Sequence, residues 1–361
     1  MTDTRTIRAE QLKSFAESLM LETGCNEVES KAVAQVLVEA DLRGIFSHGT
    51  ARLRRYVDHI ASGIIKPNSE PKLIFESKLA AVYDGRGGVG QRIASIAMEK
   101  AVACAAKCGI GFCSVRNSNH YGIAGYYAEK ATEKGFIGVS TTNTAPLVVP
   151  TYSREPVLGT NPIAASFPLN GKTFLLDMAT SVVPRGKLEV YDRLSKEMPD
   201  GWAVDENGNS TNNPTVTLKA LLNKLGGILP LGGLGEMFGG HKGYGLSLLV
   251  ELLTAGLSQG KYSKETYNER GENCHFFGAI DLAIFGDREE IARSFTRIVD
   301  EVVNSEKANG QSKIYYHGEK ETLKRLESLE KGVELDLKTV KSLDKLADKF
   351  VINRLKWEDC R

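Results

Sequence analysis

The residues best suited to chemistry in this chain stand in the stretch Arg116-Asn117-Ser118-Asn119-His120-Tyr121-Gly122. An apolar run, Ile110 to Val115, precedes it and reads as a buried strand, while Ile123 to Lys134 reads as a helix. His120 therefore falls in a strand-to-helix loop, where α/β proteins commonly bind ligands. An imidazole there can give or take a proton near neutral pH. The same place also suits a histidine that merely caps the following helix, and on this stretch alone both readings stand.

Other stretches bear on the choice. His48 lies in Ser47-His48-Gly49, and Arg52 follows one helical turn later, so the two can face one space. An imidazole beside a guanidinium suits a carboxylate, because the arginine fork matches two oxygens. Arg54 and Arg55 next to them read as surface arginines, and His59 as structural or exposed. Three strand ends are rich in small polar groups: Thr142-Asn143-Thr144, Leu158 to Pro162, and Asp177-Met178-Ala179-Thr180-Ser181. Asn143, Thr144, Asn161, Asp177 and Ser181 are each turn-forming types, but together they imply a lined cavity. A glycine-dense run, Gly226 to Gly240, leads to His241-Lys242-Gly243 before an apolar helix over Leu246 to Leu257. A lysine so placed can bind phosphate or carboxylate. No Ser or Thr follows it, so this is not a Walker A loop, and nucleotide hydrolysis is disfavoured.

The elements that must carry these residues follow from periodicity. Helices are expected over Ile7 to Glu22, Asn26 to Arg43 and Thr50 to Ser62, then a loop from Gly63 to Pro71. A strand over Leu79 to Tyr83 leads through a glycine turn into a helix ending near Lys107. Gly85, Gly87 and Gly90 match Gly-x-Gly-x-x-Gly in strand–turn–helix context. A dinucleotide fingerprint needs an acidic residue at the end of the next strand, and that strand runs instead into Arg116 and Asn117. Arg116 could serve as a 2′-phosphate reader; a plain turn is the reading kept. Further strands are expected over Gly135 to Thr141, Ile163 to Pro168, Thr173 to Asp177 and His275 to Asp281. A loop or hairpin spans Met198 to Pro214, and a helix Glu289 to Ala308. The charged tail reads as helical to Lys349, with Leu323, Leu326 and Leu329 as its packing stripe.

The bulk properties narrow the class. With 361 residues the chain is long enough for two domains, or for one core with an appended helical part. Lys+Arg 46 against Asp+Glu 45 leaves a net charge of +1, so no basic field invites nucleic acid or a membrane surface. A small molecule is the expected partner. No apolar run approaches the roughly 18 residues of a membrane span, and the charged N-terminus carries no leader pattern. A cytoplasmic protein is the expectation. Cys25, Cys104, Cys108, Cys113, Cys274 and Cys360 make no disulfide pattern, which fits a reducing compartment. Cys104 and Cys108 share a helix face but read as buried apolar thiols, not metal ligands.

Taken together these stretches resemble the type 2 malate/L-lactate dehydrogenase family, which also holds sulfolactate and ureidoglycolate dehydrogenases. The blocks are Ser47-His48-Gly49 with Arg52-Leu53 and Tyr56, Ser118 to Gly122, Gly159-Thr160-Asn161-Pro162, Leu176 to Ser181, Gly239 to Gly245 and His275-Phe276-Phe277. They run in the family's order from about residue 7 to 350. The resemblance implies an α/β fold of non-Rossmann type, malate/sulfolactate dehydrogenase-like, with a mixed central sheet flanked by helices. It implies an N-terminal helical part over residues 1–75 packed with a C-terminal helical part over 310–361, and an α/β NAD(P)-binding and catalytic domain over 76–309. By resemblance His120 is the general acid/base, assisted by His48, and His48, Arg52 and Tyr56 hold a 2-hydroxy or 2-oxo acid. Asn143, Thr144, Asp177, Met178, Ala179, His241 and Lys242 would line a groove for NAD or NADP, and a homodimer is implied. The chain departs from the family pattern at His317, where proline is usual, and at His241, where an aromatic residue is common.

The expected activity is interconversion of a 2-hydroxy acid and a 2-oxo acid, with malate and oxaloacetate favoured over lactate. A cyclic-imine reductase of the same family is one rival. A metal-dependent hydrolase using His48, His120 and His241 is another, disfavoured because no carboxylate stands at ligand spacing to them and no His-x-x-x-His occurs.

Overall fold

The computed structural model describes residues 4–266 and 271–359. Strand β1 (Thr4–Ile7) is followed by helices α1 (Ala9–Glu22), α2 (Glu27–Leu42) and α3 (Leu53–Ala61). Asn26 starts α2 with a capping box: its side chain accepts from the Glu29 N–H, and the Glu29 carboxylate accepts from the Asn26 N–H. This capping explains why the helix starts where its apolar period does. Ile7, expected to be helical, is strand instead, because β1 pairs antiparallel with a later segment of the chain.

The central sheet comprises β2 (Lys72–Glu76), β3 (Ala80–Asp84), β4 (Ile110–Ser118), β5 (Phe136–Thr142), β6 (Ile163–Pro168) and β7 (Thr173–Met178), together with β11 (Asn273–Asp281). Its order is β2-β3-β4-β11-β5-β6-β7. Only β3 and β4 run parallel; the other neighbours are antiparallel. A doubly wound dinucleotide fold needs a mainly parallel sheet, so the architecture is the expected non-Rossmann mixed sheet. α4 (Gly90–Cys108) and α5 (Ala124–Thr132) cover one face. Gly111 on β4 allows α4 to come close, since a Cβ there would stand 2.1 Å from the Ala101 carbonyl oxygen.

A smaller apolar cluster gathers around Val148, Leu158, Leu188 and Ile228. Val148 and Leu158 pair with each other in an isolated bridge, and the elements of this region are α6 (Arg185–Arg193), the two-residue strands β8 (Ala203–Val204) and β9 (Ser210–Thr211), α7 (Pro214–Leu222) and β10 (Gly227–Ile228). The expected loop or hairpin over 198–214 is thus a hairpin, flanked by two helices that the periodicity did not reveal. α8 (Gly240–Glu251) starts six residues before the expected Leu246 and continues as a π-helical turn, Leu252–Gly256. After β11 come α9 (Arg288–Val303), α10 (Glu319–Lys331), β12 (Val333–Asp336), α11 (Leu337–Phe350) and β13 (Glu358–Asp359).

The tail differs from a single charged helix. Gly332, with φ +97°, ends α10; β12 pairs with β1; and the Asp336 carboxylate caps α11 by accepting from the N–H groups of Lys338 and Thr339. Leu323, Leu326 and Leu329 are exposed, not packed, at 49%, 57% and 41%. The buried stripe lies one helix later, where Val340, Leu343, Leu346 and Ala347 join Leu12, Leu19, Leu37 and Leu53 in one cluster. Val36 and Ala40 on α2 belong to the sheet cluster instead, so α2 bridges the two. Four cysteines are buried, but Cys108 is exposed, against expectation, because it ends α4 at the surface; Cys360 lies outside the described residues. Among the described residues no helix is long and apolar enough to cross a membrane.

Candidate active site

β4 runs on to Ser118, past the expected Val115, so the loop bearing His120 is short. The glycine turn after β3 packs directly on it. A Cβ at Gly90 would stand 2.4 Å from both the Asn119 and the His120 carbonyl oxygens. The Asn119 amide donates to the Gly87 and Gly88 carbonyls, 2.9 Å each, pinning the loop to the same turn. The Gly-x-Gly-x-x-Gly run is therefore a turn that seats His120. Arg116 pairs with Asp84 at 3.2 Å. Gly90→Ala is expected to destabilise the fold by about 1–3 kcal/mol through overpacking. It should also displace His120, read as a lowered melting temperature together with lost turnover.

His48 and Arg52 arrive on the two short 3-10 turns that precede α3. Asp41 on α2, fully buried, holds them: it accepts from the Thr50 N–H at 2.8 Å and the Thr50 hydroxyl at 2.6 Å. Burial pushes its carboxyl up to about 7, so it sits largely neutral under the loop at slightly acid pH. The Arg52 Nε donates to the Ser47 carbonyl at 2.6 Å, and Ser47 Oγ lies 2.9 Å from His48 Nδ1. The rings of His48 and His120 stack at 5.6 Å, 72 residues apart in sequence.

Tyr56, expected on the acid, lies behind His120 instead, because α3 buries its ring. Its hydroxyl is 2.6 Å from His120 Nδ1, and Gln91 Nε2 donates to that hydroxyl at 2.6 Å. Burial keeps the Tyr56 phenol above its ordinary range, so it remains protonated. Burial also holds the His120 imidazole well below 6.5, aided by His48, Arg55, Arg52 and His275. His48 is lowered to about 4 by burial, then by Arg52 and Arg55. Both imidazoles are thus neutral at pH 7. Arg54 pairs with Asp58 on the surface, as expected of it. Arg55 is exposed, yet its charge acts on His48 and His120. The signal for it was present: 48, 52 and 55 are spaced for one helical face.

A cavity of about 290 Å³ opens beside these groups. His48 and His120 line it together with Asn143, Thr144, Asp177, Met178 and Ala179. Asp177 accepts from the Gly125 N–H at 2.7 Å, and burial raises its carboxyl to about 6. Thr144 N–H donates to Asn161 Oδ1 at 3.2 Å, and the Asn161 amide donates to Glu251 at 2.9 Å. Glu251, buried where α8 passes into its π-helical turn, also accepts from Asn143 at 3.3 Å. Sequence reasoning missed this carboxylate because nothing marks it inside an apolar helix. A second cavity of about 260 Å³ shares Ile45, Ile123 and Asp177 with the first and runs on to His317 and Tyr315.

His241 and Lys242 do not join this cavity: both are exposed on the first turn of α8. Of the three histidines of the hydrolase reading, only two meet. Among the described residues no group of three or more His, Cys, Asp or Glu could hold a metal ion.

The chain is similar over nearly its whole length to known proteins. The model of the family described as malate/L-lactate dehydrogenase matches residues 7–344. A malate dehydrogenase of Pyrococcus abyssi is 46% identical over 352 residues, 97% of this chain and 96% of that protein. An L-sulfolactate dehydrogenase of Methanocaldococcus jannaschii is 37% identical over 351 residues, 96% of this chain and 98% of that one. The solved malate dehydrogenase of Pyrococcus horikoshii superposes with a TM-score of 0.89 at 41% identity, covering 98% of this chain and 99% of that chain. The chain belongs to the malate/L-lactate dehydrogenase family, oxidoreductases that act on CH–OH donors.

Proposed function

We propose that this chain interconverts a 2-hydroxy acid and its 2-oxo acid with NAD or NADP, and that its pair is malate and oxaloacetate. The observation that carries this reading is a neutral His120 imidazole at a cavity wall, with His48 stacked on it and the charges of Arg52 and Arg55 acting on both rings. Arg52 takes the C1 carboxylate in a bidentate pair. Arg55 answers the second carboxylate, which malate has and lactate lacks. His120 removes the hydroxyl proton in oxidation and returns it in reduction, with His48 beside it on the substrate.

The two adjoining cavities fit an extended cofactor, because they share walls and offer Thr144, Asn143, Asp177, Met178 and Ala179 along one side. A nicotinamide bound there supplies the hydride chemistry; the protein supplies placement and electrostatics. A homodimer belongs to the same reading. Leu246, Leu248, Leu249 and Leu252 leave an apolar face of α8 exposed, at 37–59%, next to Lys242 and His241. A second copy on that face would cover it and draw both residues into a shared groove.

The test is oxidation of NADH and of NADPH against oxaloacetate, pyruvate and a cyclic imino acid. Turnover of oxaloacetate supports the reading, turnover of the imino acid alone would replace it with an imine reductase, and silence with all three would end it. The state of His120 adds a pH prediction. A base must be unprotonated, and burial with neighbouring cations holds this one well below 6.5. For malate oxidation kcat/KM should stay level as pH falls through 6.5 and drop only below it. An acid limb centred at 6.5 or above would contradict the assignment.

A further inference from the structure

Behind His120 runs a chain of three polar groups whose direction matters for the reaction. Gln91, the second residue of α4, is fully buried, and its Nε2 donates to Tyr56 Oη at 2.6 Å. Tyr56 Oη is in turn 2.6 Å from His120 Nδ1, and the Gly122 N–H reaches the same nitrogen at 3.3 Å. The other end of the amide, Gln91 Oε1, is buried and has no hydrogen-bond partner. A buried acceptor without a partner costs free energy and calls for an explanation.

Followed in this direction, the chain gives the wrong imidazole. Gln91 donates to Tyr56, so the single Tyr56 proton points to Nδ1, and a neutral His120 must carry its own proton on Nε2. Nε2 is the nitrogen left for the cavity, and with a proton already on it His120 cannot accept another there. The useful tautomer has the proton on Nδ1. It needs Nδ1–H to donate to Tyr56 Oη, and the Tyr56 hydroxyl to donate onward to an acceptor. Turning the Gln91 amide by 180° about its last bond places Oε1 where Nε2 stands, in a shape of the same size, and leaves Nε2 in the unpartnered place, a cost that the Tyr56 and His120 hydrogen bonds must outweigh. After His120 has taken a proton, both ring nitrogens are donors, so this direction also serves the reverse reaction. The long Gly122 contact is given up.

We propose that Gln91 is a positioning residue: in the reactive enzyme its Oε1 accepts from Tyr56, which holds the His120 proton on Nδ1 and leaves Nε2 as the base. This rests on the reading of His120 as the acid/base of the reaction proposed above. Gln91 touches neither substrate nor cofactor and acts only through Tyr56. A neutral amide does this without adding a charge beside the imidazole.

The test compares wild type with Gln91→Met, which removes the acceptor at similar volume, and Gln91→Glu, which keeps an acceptor oxygen. Two readouts are taken: ¹⁵N shifts of the His120 ring in the free protein, and kcat and KM for oxaloacetate. We expect Nδ1–H in wild type and Nε2–H in Gln91→Met, with kcat lower by roughly 10- to 100-fold and KM nearly unchanged. That loss is smaller than the roughly 10⁴-fold known for a wrong tautomer in a catalytic triad, because Tyr56 remains. Gln91→Glu should recover Nδ1–H and most of the turnover. Nε2–H in wild type, or a Gln91→Met enzyme with undiminished kcat, overturns the proposal. If Gln91→Met does not fold, the wild-type spectrum and the Gln91→Glu turnover decide. A ring spectrum that follows Gln91 in a protein turning over no 2-oxo acid would sink the function reading and leave the relay standing.

Discussion

His120→Ala is expected to lower kcat for oxaloacetate reduction by about 10²–10⁴-fold, the usual share of a positioned acid/base. KM should change little, since the proposed function has the guanidiniums, and not this ring, hold the carboxylates. The size follows from where the imidazole sits. It is held from behind by Tyr56, stacked on His48 and seated on Gly90, so no other group can swing into its place without moving the turn. Water could replace the imidazole as a proton carrier only at low efficiency, because the site is largely buried. The measurement is steady-state kinetics of both proteins with NADH and NADPH. Turnover that survives the substitution would move the base to His48, the second imidazole on the same cavity wall.

Arg52→Ala is the substitution with the next largest expected effect, and it should act on KM. A carboxylate bound in a part-buried site loses its bidentate partner, at a cost of about 2–4 kcal/mol in kcat/KM, or roughly 30- to 700-fold. Arg52→Lys should recover only part of this, because an ammonium cannot offer the planar fork. Arg55→Leu tests the second carboxylate in the same assay. It should weaken malate far more than lactate, which has no group for Arg55 to meet. Equal losses for both acids would show that Arg55 contributes only a general field.

Much of the site was legible before any fold was known. His120 in its strand-to-helix loop, His48 with Arg52, and the three polar strand ends were each visible, and eight of the strand-end residues do line one cavity with the two histidines. What misled was context. Tyr56 reads as a substrate contact until α3 is seen to bury its ring against His120. Arg55 is the surface residue expected of it, and only its field on two imidazoles was not legible. Lys242 and His241 sit at a helix start, as expected, but neither lines the cavity described here.

The sequence by itself determined the class of chemistry and most of the elements, because side-chain type and period are local properties. The blocks around Ser47, Ser118, Gly159, Leu176 and Gly239 specify the family without any coordinate. Only the tertiary structure decided how the groups are arranged. The stack of His48 on His120 and the buried chain through Tyr56 and Gln91 join α3, α4 and the β4–α5 loop. The same holds for the Glu251 support of Asn143 and Asn161 and for the pairing of β1 with β12. Each depends on residues brought together by packing of the whole core, and no spacing along the chain encodes a contact between such distant segments.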